Sequence, residues 1–169
     1  NYEVKLLLTG NGRVGKSCIL DRLQGRGYDP HKSSTHAIQI ERKAWDFTHH
    51  GEARSLDVQV WDFGGQEIYH ATHRHFMRTR ALYLVVWDAL TEEAPQATEE
   101  RDGMTWIFDN YRLPYWLDYV RAFSKNSPVI VVQNKKDRDG RLRPPSEDEL
   151  DKLCKPKDCV SLSAADGTG

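Results

Sequence analysis

The chain has 169 residues, 38% hydrophobic and 29% charged, with 24 basic against 25 acidic side chains and a formal net charge of −1. That length suits a single domain with a real core, and the near-balance of charge excludes a global field that would draw nucleic acid or an anionic membrane. Cys18, Cys154 and Cys159 form an odd set without C-x-x-C spacing, which argues against a disulfide framework and fits a reducing cytosol, so a cytoplasmic location is expected. The longest apolar run falls far short of the roughly 20 residues that span a bilayer, and neither a secretory pattern nor a lipidation signal is visible up to Asp166-Gly-Thr-Gly169.

Val4–Leu8 reads as a buried first strand. Directly behind it, Gly10-Asn11-Gly12-Arg13-Val14-Gly15-Lys16-Ser17 fits G-x-x-x-x-G-K-[ST] at every fixed position. Glycines there let successive N–H groups turn into one nest, and the helix that follows, Lys16–Leu23, points its positive end at the same anion. Lys16 adds a charge for the β- and γ-phosphates, Ser17 a hydroxyl for Mg²⁺, and Cys18 follows as a small buried hydrophobe. The motif points to a nucleoside triphosphate.

Gly25 to His36 reads as loop, after which Ala37–Phe47 and Leu56–Trp61 suggest two strands of an antiparallel hairpin around His49-His50-Gly51-Glu52. Ala81–Trp87 and Pro128–Gln133 are continuous apolar runs, as expected of parallel strands covered on both faces. Between them lies the least regular region, polar and acidic from Thr91 to Asp102, then aromatic with Trp106, Tyr111, Tyr115, Trp116, Tyr119 and Phe123. A helix over Tyr115–Ser124 is expected, its aromatic side either packed on the sheet or offered to another domain. Pro144-Pro145 breaks the chain, Ser146 is a candidate N-cap with Glu149 three residues on, a short helix should run to about Leu153, and Val160–Leu162 would be the last strand. The sum is an α/β domain: a mainly parallel six-stranded sheet with helices on both faces.

Two further motifs sit on strand exits. In Val58-Gln-Val-Trp-Asp62-Phe-Gly-Gly65-Gln66, an aspartate beside the phosphate loop can hold Mg²⁺ through water, a glycine at 65 lets a backbone N–H approach a γ-phosphate, and Gln66 could orient an attacking water. In Asn134-Lys135-Lys-Asp137, the Asp137 carboxylate can accept two hydrogen bonds from guanine, whereas adenine has no such donor pair. Asn134 would brace the loop and Lys135 would lay its stem along the base. Ser163-Ala164-Ala165 after the last strand could add a backbone N–H at Ala164 for the base oxygen.

With these boxes in order over essentially its whole length, the chain resembles a Ras-superfamily small GTPase with a P-loop NTPase fold. The resemblance implies that a switch threonine ligates Mg²⁺, and Thr35 in Ser33-Ser34-Thr35-His-Ala-Ile38 holds that place, with Ser33, Ser34 and Thr48 as rivals. It also implies an aromatic ring edge-on to the base, a slot that Tyr28 or an ordinary loop tyrosine would fill. Asp62-Phe-Gly-Gly-Gln-Glu-Ile-Tyr-His70-Ala-Thr-His73 and the long segment before the fifth expected strand are more similar to the Roc domain of prokaryotic Roco proteins. This implies GTP/GDP and Mg²⁺ as cofactors, a COR domain and leucine-rich repeats as neighbours in a larger protein, and a homodimer. The family's last box usually ends in Lys where this chain has Ala165, and the family's C-terminal helix is expected to be absent. Arg13 takes a phosphate-loop position that is often small, as a solvated side chain or as one that reaches the nucleotide or a partner. His70, His73 and His75 read as a mobile switch surface, since they do not converge on a helix as metal ligands would.

Overall fold

The computed structural model describes residues 2–32, 35, 38–64, 80–124, 126–138, 147–153 and 158–169. Among the described residues the strands are β1 (Tyr2–Thr9), β2 (Ile38–His49), β3 (Glu52–Phe63), β4 (Leu82–Trp87), β5 (Gln96–Arg101), β6 (Met104–Asp109), β7 (Val129–Gln133) and β8 (Asp158–Ser161). The helices are α1 (Lys16–Leu23), α2 (Ala89–Glu93), α3 (Leu113–Phe123) and α4 (Glu147–Leu153). None is long and apolar enough, among the described residues, to cross a membrane.

Six strands form the main sheet in the order β2-β3-β1-β4-β7-β8, parallel except for the antiparallel β2–β3 pair. The chain runs from β1 out to β2 and β3 on one side and then crosses to β4 on the other. The end of β1 is therefore a topological switch point, the place where α/β sheets open a crevice for a ligand. Gly10–Ser17 lies there.

Alternation along the strands divides the core between two faces. Leu6, Leu8, Val58, Val60, Leu84, Val86 and Val132 pack with Val14, Ile19 and Leu20 beside α1. Leu7, Phe63, Tyr83, Val85, Trp87 and Val131 pack with Leu113, Trp116, Leu117 and Val120 of α3 and Leu150 of α4. Because helices cover both faces, β4 and β7 carry no polar stripe, which is what made them conspicuous in the sequence.

The departures from expectation sit at turns. His49 pairs with Glu52, so the β2–β3 turn is only His50-Gly51, both at positive φ (51° and 80°), and both strands run longer than the hydrophobic pattern suggested. The segment expected to be irregular contains a second sheet, the antiparallel β5–β6 hairpin, closed by Asp102-Gly103 at φ 54° and 74°. The polar, acidic composition of β5 hid that strand, while Asp-Gly, a strong hairpin signal, and the apolar residues of β6 were present. Helix α3 starts at Leu113, two residues ahead of the expected Tyr115, with Pro114 in its first turn, where a missing N–H costs nothing. The aromatic set splits accordingly: Trp116 and Tyr119 are buried against the sheet, and Trp106 on β6 is 49% exposed beside Ile107 at 64%. Strand β8 begins at Asp158 rather than Val160. The candidate cap Ser146, like Cys154, lies outside the described residues.

One buried side chain joins the phosphate loop to this region. Asn11, 1% exposed, donates from Nδ2 to the Tyr111 carbonyl (2.7 Å). Its Oδ1 accepts from the Tyr111 N–H (2.8 Å) and from Trp116 Nε1 (3.1 Å). Asn11→Ala removes all three hydrogen bonds, that of the buried Trp116 indole among them, and should lower unfolding free energy by about 2–4 kcal/mol. Urea denaturation measures this, and a loss under about 0.5 kcal/mol would show that the groups find other partners.

Candidate functional site

The loop after β1 is shaped by two glycines that no other residue could replace without rearrangement. At Gly10 (φ 139°) a Cβ would collide with the Val86 carbonyl, and at Gly15 (φ 91°) with the Asn134 carboxamide. Lys16 opens α1 and is 5% exposed, its ammonium donating to the carbonyls of Gly10 (3.0 Å) and Asn11 (2.7 Å). Burial pulls its pKa down to about 8, with the Asp62 charge working in the opposite direction. Arg13 adopts φ 66°, uncommon without glycine, and its Nη1 donates to the Thr98 carbonyl on β5 (2.8 Å).

Three oxygen donors converge at the start of α1. The Ser17 hydroxyl lies 2.7 Å from that of Thr35 and bonds Asp62 Oδ2, which Thr35 also approaches at 3.4 Å. Asp62, at the end of β3, is fully buried; burial raises its carboxyl above the usual range, opposed first by Lys16. Its Oδ1 is buried with no hydrogen-bond partner among the described residues. A hard-oxygen set with an unused carboxylate lone pair fits a divalent cation of the Mg²⁺ type. Thr48, a rival to Thr35, pairs with Ala53 at the far end of the β2–β3 hairpin, and Ser33 and Ser34 lie outside the described residues.

The opposite end of the site is braced by Asn134, 2% exposed. Its Nδ2 donates to the Val14 carbonyl (2.8 Å) and its Oδ1 accepts from the Ala164 N–H (3.0 Å), so one side chain ties three loops together. The Ala164 amide expected to face a base oxygen is thus turned onto Asn134. Lys135, at φ 62°, pairs with the buried carboxylate of Asp88 at 2.5 Å. Asp88 also caps α2 through the Thr91 N–H (2.9 Å). Arg22 of α1 donates to the carbonyls of Ala164 (2.7 Å) and Ala165 (2.6 Å), fixing the loop in which the expected lysine is missing.

Gly12, Arg13, Gly15, Lys16, Ser17, Cys18, Tyr28, Thr35, Asn134, Lys135, Asp137, Ala164 and Ala165 all line one cleft of about 490 Å³. Gly10, Asn11, Val14, Asp62 and Ser163 are buried; the Ser163 hydroxyl accepts from the Asp166 N–H (3.3 Å). Cys18 is a half-buried free thiol whose pKa burial raises, as for an inert residue. Gly65, Gln66, His70, His73 and His75 lie outside the described residues. Sequence reasoning missed Arg22 and Asp88; the second had a signal, an acid ending an otherwise apolar strand. It also missed the hairpin, whose Ala97, Glu99 and Phe108 line the same cleft.

The family model described as "Ras of Complex, Roc, domain of DAPkinase" matches residues 5–137. A Roc-COR-CHAT protease from an unknown prokaryotic organism is 33% identical over 82% of this chain and 13% of its own length. The probable serine/threonine-protein kinase pats1 of Dictyostelium discoideum is 29% identical over 78% of this chain and 4% of its own. Among solved structures, Methanosarcina barkeri Roco2 RocCORdC bound to GDP superposes with a TM-score of 0.74 at 34% identity, covering 99% of this chain and 45% of that one. The chain thus spans less than half the length of each of these three proteins. A phosphate loop at the switch point of a Ras-like sheet, with Thr35, Asn134, Lys135, Asp137, Ala164 and Ala165 lining the same cleft and a Roc match over residues 5–137, places this chain in the Roc family of the Ras superfamily.

Proposed function

We propose that this domain binds GTP, hydrolyses it to GDP and phosphate, and uses the two nucleotide states as a conformational switch. The observation that carries the reading is the convergence of Ser17, Thr35 and Asp62 beside the buried Lys16, in the same cleft as Asp137. Ser17 and Thr35 would hold Mg²⁺ by their hydroxyls and Asp62 through water; the metal would neutralise charge on the phosphoryl oxygens. Thr35 belongs to the loop that precedes β2, so its engagement would report whether a γ-phosphate is present. Lys16 and the backbone N–H groups of Gly12–Ser17 stabilise the anion, Asp137 selects guanine, and Gln66 orients the attacking water. The Tyr28 ring would flank the base. The structure with GDP bound to a related Roco protein supports the guanine assignment.

With no arginine assigned to the reacting phosphate, turnover should be slow, since such an arginine contributes on the order of 10³–10⁵ in rate. The much longer relatives support a setting in which this chain is one domain of a larger protein, residues 1–169 being its GTPase unit. A COR domain would be its neighbour, with leucine-rich repeats and a homodimer as further features of the assembly.

Chromatography of nucleotide released from the purified protein should yield guanine species; adenine species would remove Asp137 from its role. In single-turnover assays Gln66→Leu should slow hydrolysis at least 10-fold while leaving binding intact. Wild-type protein that holds GTP unchanged in Mg²⁺ would instead identify a regulatory binding module without turnover.

Affinity should also depend on pH through Lys16. Phosphate favours the ammonium, so the bound-state pKa lies above the free-state value of about 8, and affinity is fully present below pH 8 and declines as pH rises through it. Fluorescent-GDP titrations should show up to roughly 10-fold weaker binding per pH unit above 8. A flat profile from pH 7 to 9 would mean that Lys16 stays charged throughout.

A further inference from the structure

We propose that the β5–β6 hairpin is an additional wall of the nucleotide cleft, that Arg13 positions it, and that it slows nucleotide release; this rests on the nucleotide-binding reading above. Cross-strand pairing puts Ala97 with Phe108 and Glu99 with Trp106, so these four share one hairpin face. Ala97, Glu99 and Phe108 line the cleft, and Trp106 continues the same face outward, 49% exposed.

The hairpin is tied to the phosphate loop at two points. Arg13 donates to the Thr98 carbonyl in the first strand, and Asn11 clamps Tyr111 just past the second. Its base is closed by the Asn110 N–H on the Pro95 carbonyl (2.8 Å) and by Asn110 Nδ2 on the Ala94 carbonyl (2.9 Å). Among the described residues, none from 96 to 109 belongs to either core cluster. A two-stranded hairpin is marginally stable alone, so its placement depends on these ties. Arg13, two residues after Asn11, sits at positive φ with its guanidinium directed to the hairpin, which accounts for a large side chain where the loop needs only a small one. Any group that orders Gly12–Ser17 orders the hairpin through Arg13, and the hairpin in turn restrains the loop and covers one side of its ligand.

The test is the rate at which a fluorescent GDP analogue leaves the protein in excess unlabelled GDP. One variant replaces Ala97–Phe108 by Asn-Gly, joining the paired Gln96 and Asp109 with a two-residue turn; the others are Arg13→Ala, Arg13→Lys and the combination of Arg13→Ala with the shortened hairpin. Arg13→Ala should release the analogue roughly 3- to 10-fold faster, the shortened hairpin at least as fast, and the combination no faster than the shortened hairpin alone. Arg13→Lys, which keeps a donor, should recover most of the wild-type rate. If circular dichroism shows that the shortened chain does not fold, Phe108→Ala takes its place, with the same faster release and the same non-additivity with Arg13→Ala expected. Wild-type release from the hairpin variant, or equal acceleration by Arg13→Ala in both backgrounds, would overturn the proposal. Failure of the wild-type protein to retain the analogue would instead sink the nucleotide-binding reading itself.

Discussion

Two buried carboxamides hold the C-terminal edge of this sheet together. Asn134 satisfies the Val14 carbonyl and the Ala164 amide, and Asn11 satisfies both backbone groups of Tyr111 together with the Trp116 indole. A buried backbone polar group without a partner costs free energy comparable to a lost hydrogen bond. The loops after β1, β7 and β8, and the entry to α3, therefore cannot drift apart one at a time. The phosphate loop is fixed from two sides by buried side chains.

That rigidity explains the electrostatics of the cleft. Lys16 and Asp62 are both held in the interior, and burial pushes each toward its neutral form while their mutual attraction resists. Holding both out of water is unfavourable by itself. In the proposed function the same preorganisation would become favourable once an anion met Lys16 and a cation met the Ser17, Thr35 and Asp62 oxygens, because those groups are already gathered at one place. Arg22 and Asp88 extend the scheme outward: one fixes the Ala164–Ala165 loop from α1, and the other anchors Lys135 from the end of β4. Neither belongs to a recognised box, yet both decide where the boxes lie.

The hairpin between α2 and α3 gives this cleft a character beyond the minimal Ras-like sheet. It contributes nothing to the two core clusters among the described residues, and instead adds Ala97, Glu99 and Phe108 to the cleft and the exposed Trp106 and Ile107 to the surface beside it. Through Arg13 and Asn11 the phosphate loop touches this insertion as directly as it touches the sheet.

Much was legible from the chain alone, for identifiable reasons. The apolar runs at β1, β4 and β7 are covered on both faces, so their composition announces them, and the motif residues from Gly10 to Ser17, Asp62, and Asn134 to Asp137 stand out by their fixed spacing on strand exits. Strand ends at β2, β3 and β8 and the polar strand β5 were not legible, because exposed polar strands carry no hydrophobic pattern and are placed by turns and ties. The roles of Arg13, Asn11, Arg22 and Asp88 were equally hidden: each acts on a partner 47 or more residues away in sequence, and only the folded chain brings those partners within hydrogen-bond distance. The sequence by itself determined which chemical groups stand at which strand exit; the tertiary structure decided which of them share a cleft and what holds them there, since a hydrogen bond depends on separation in space.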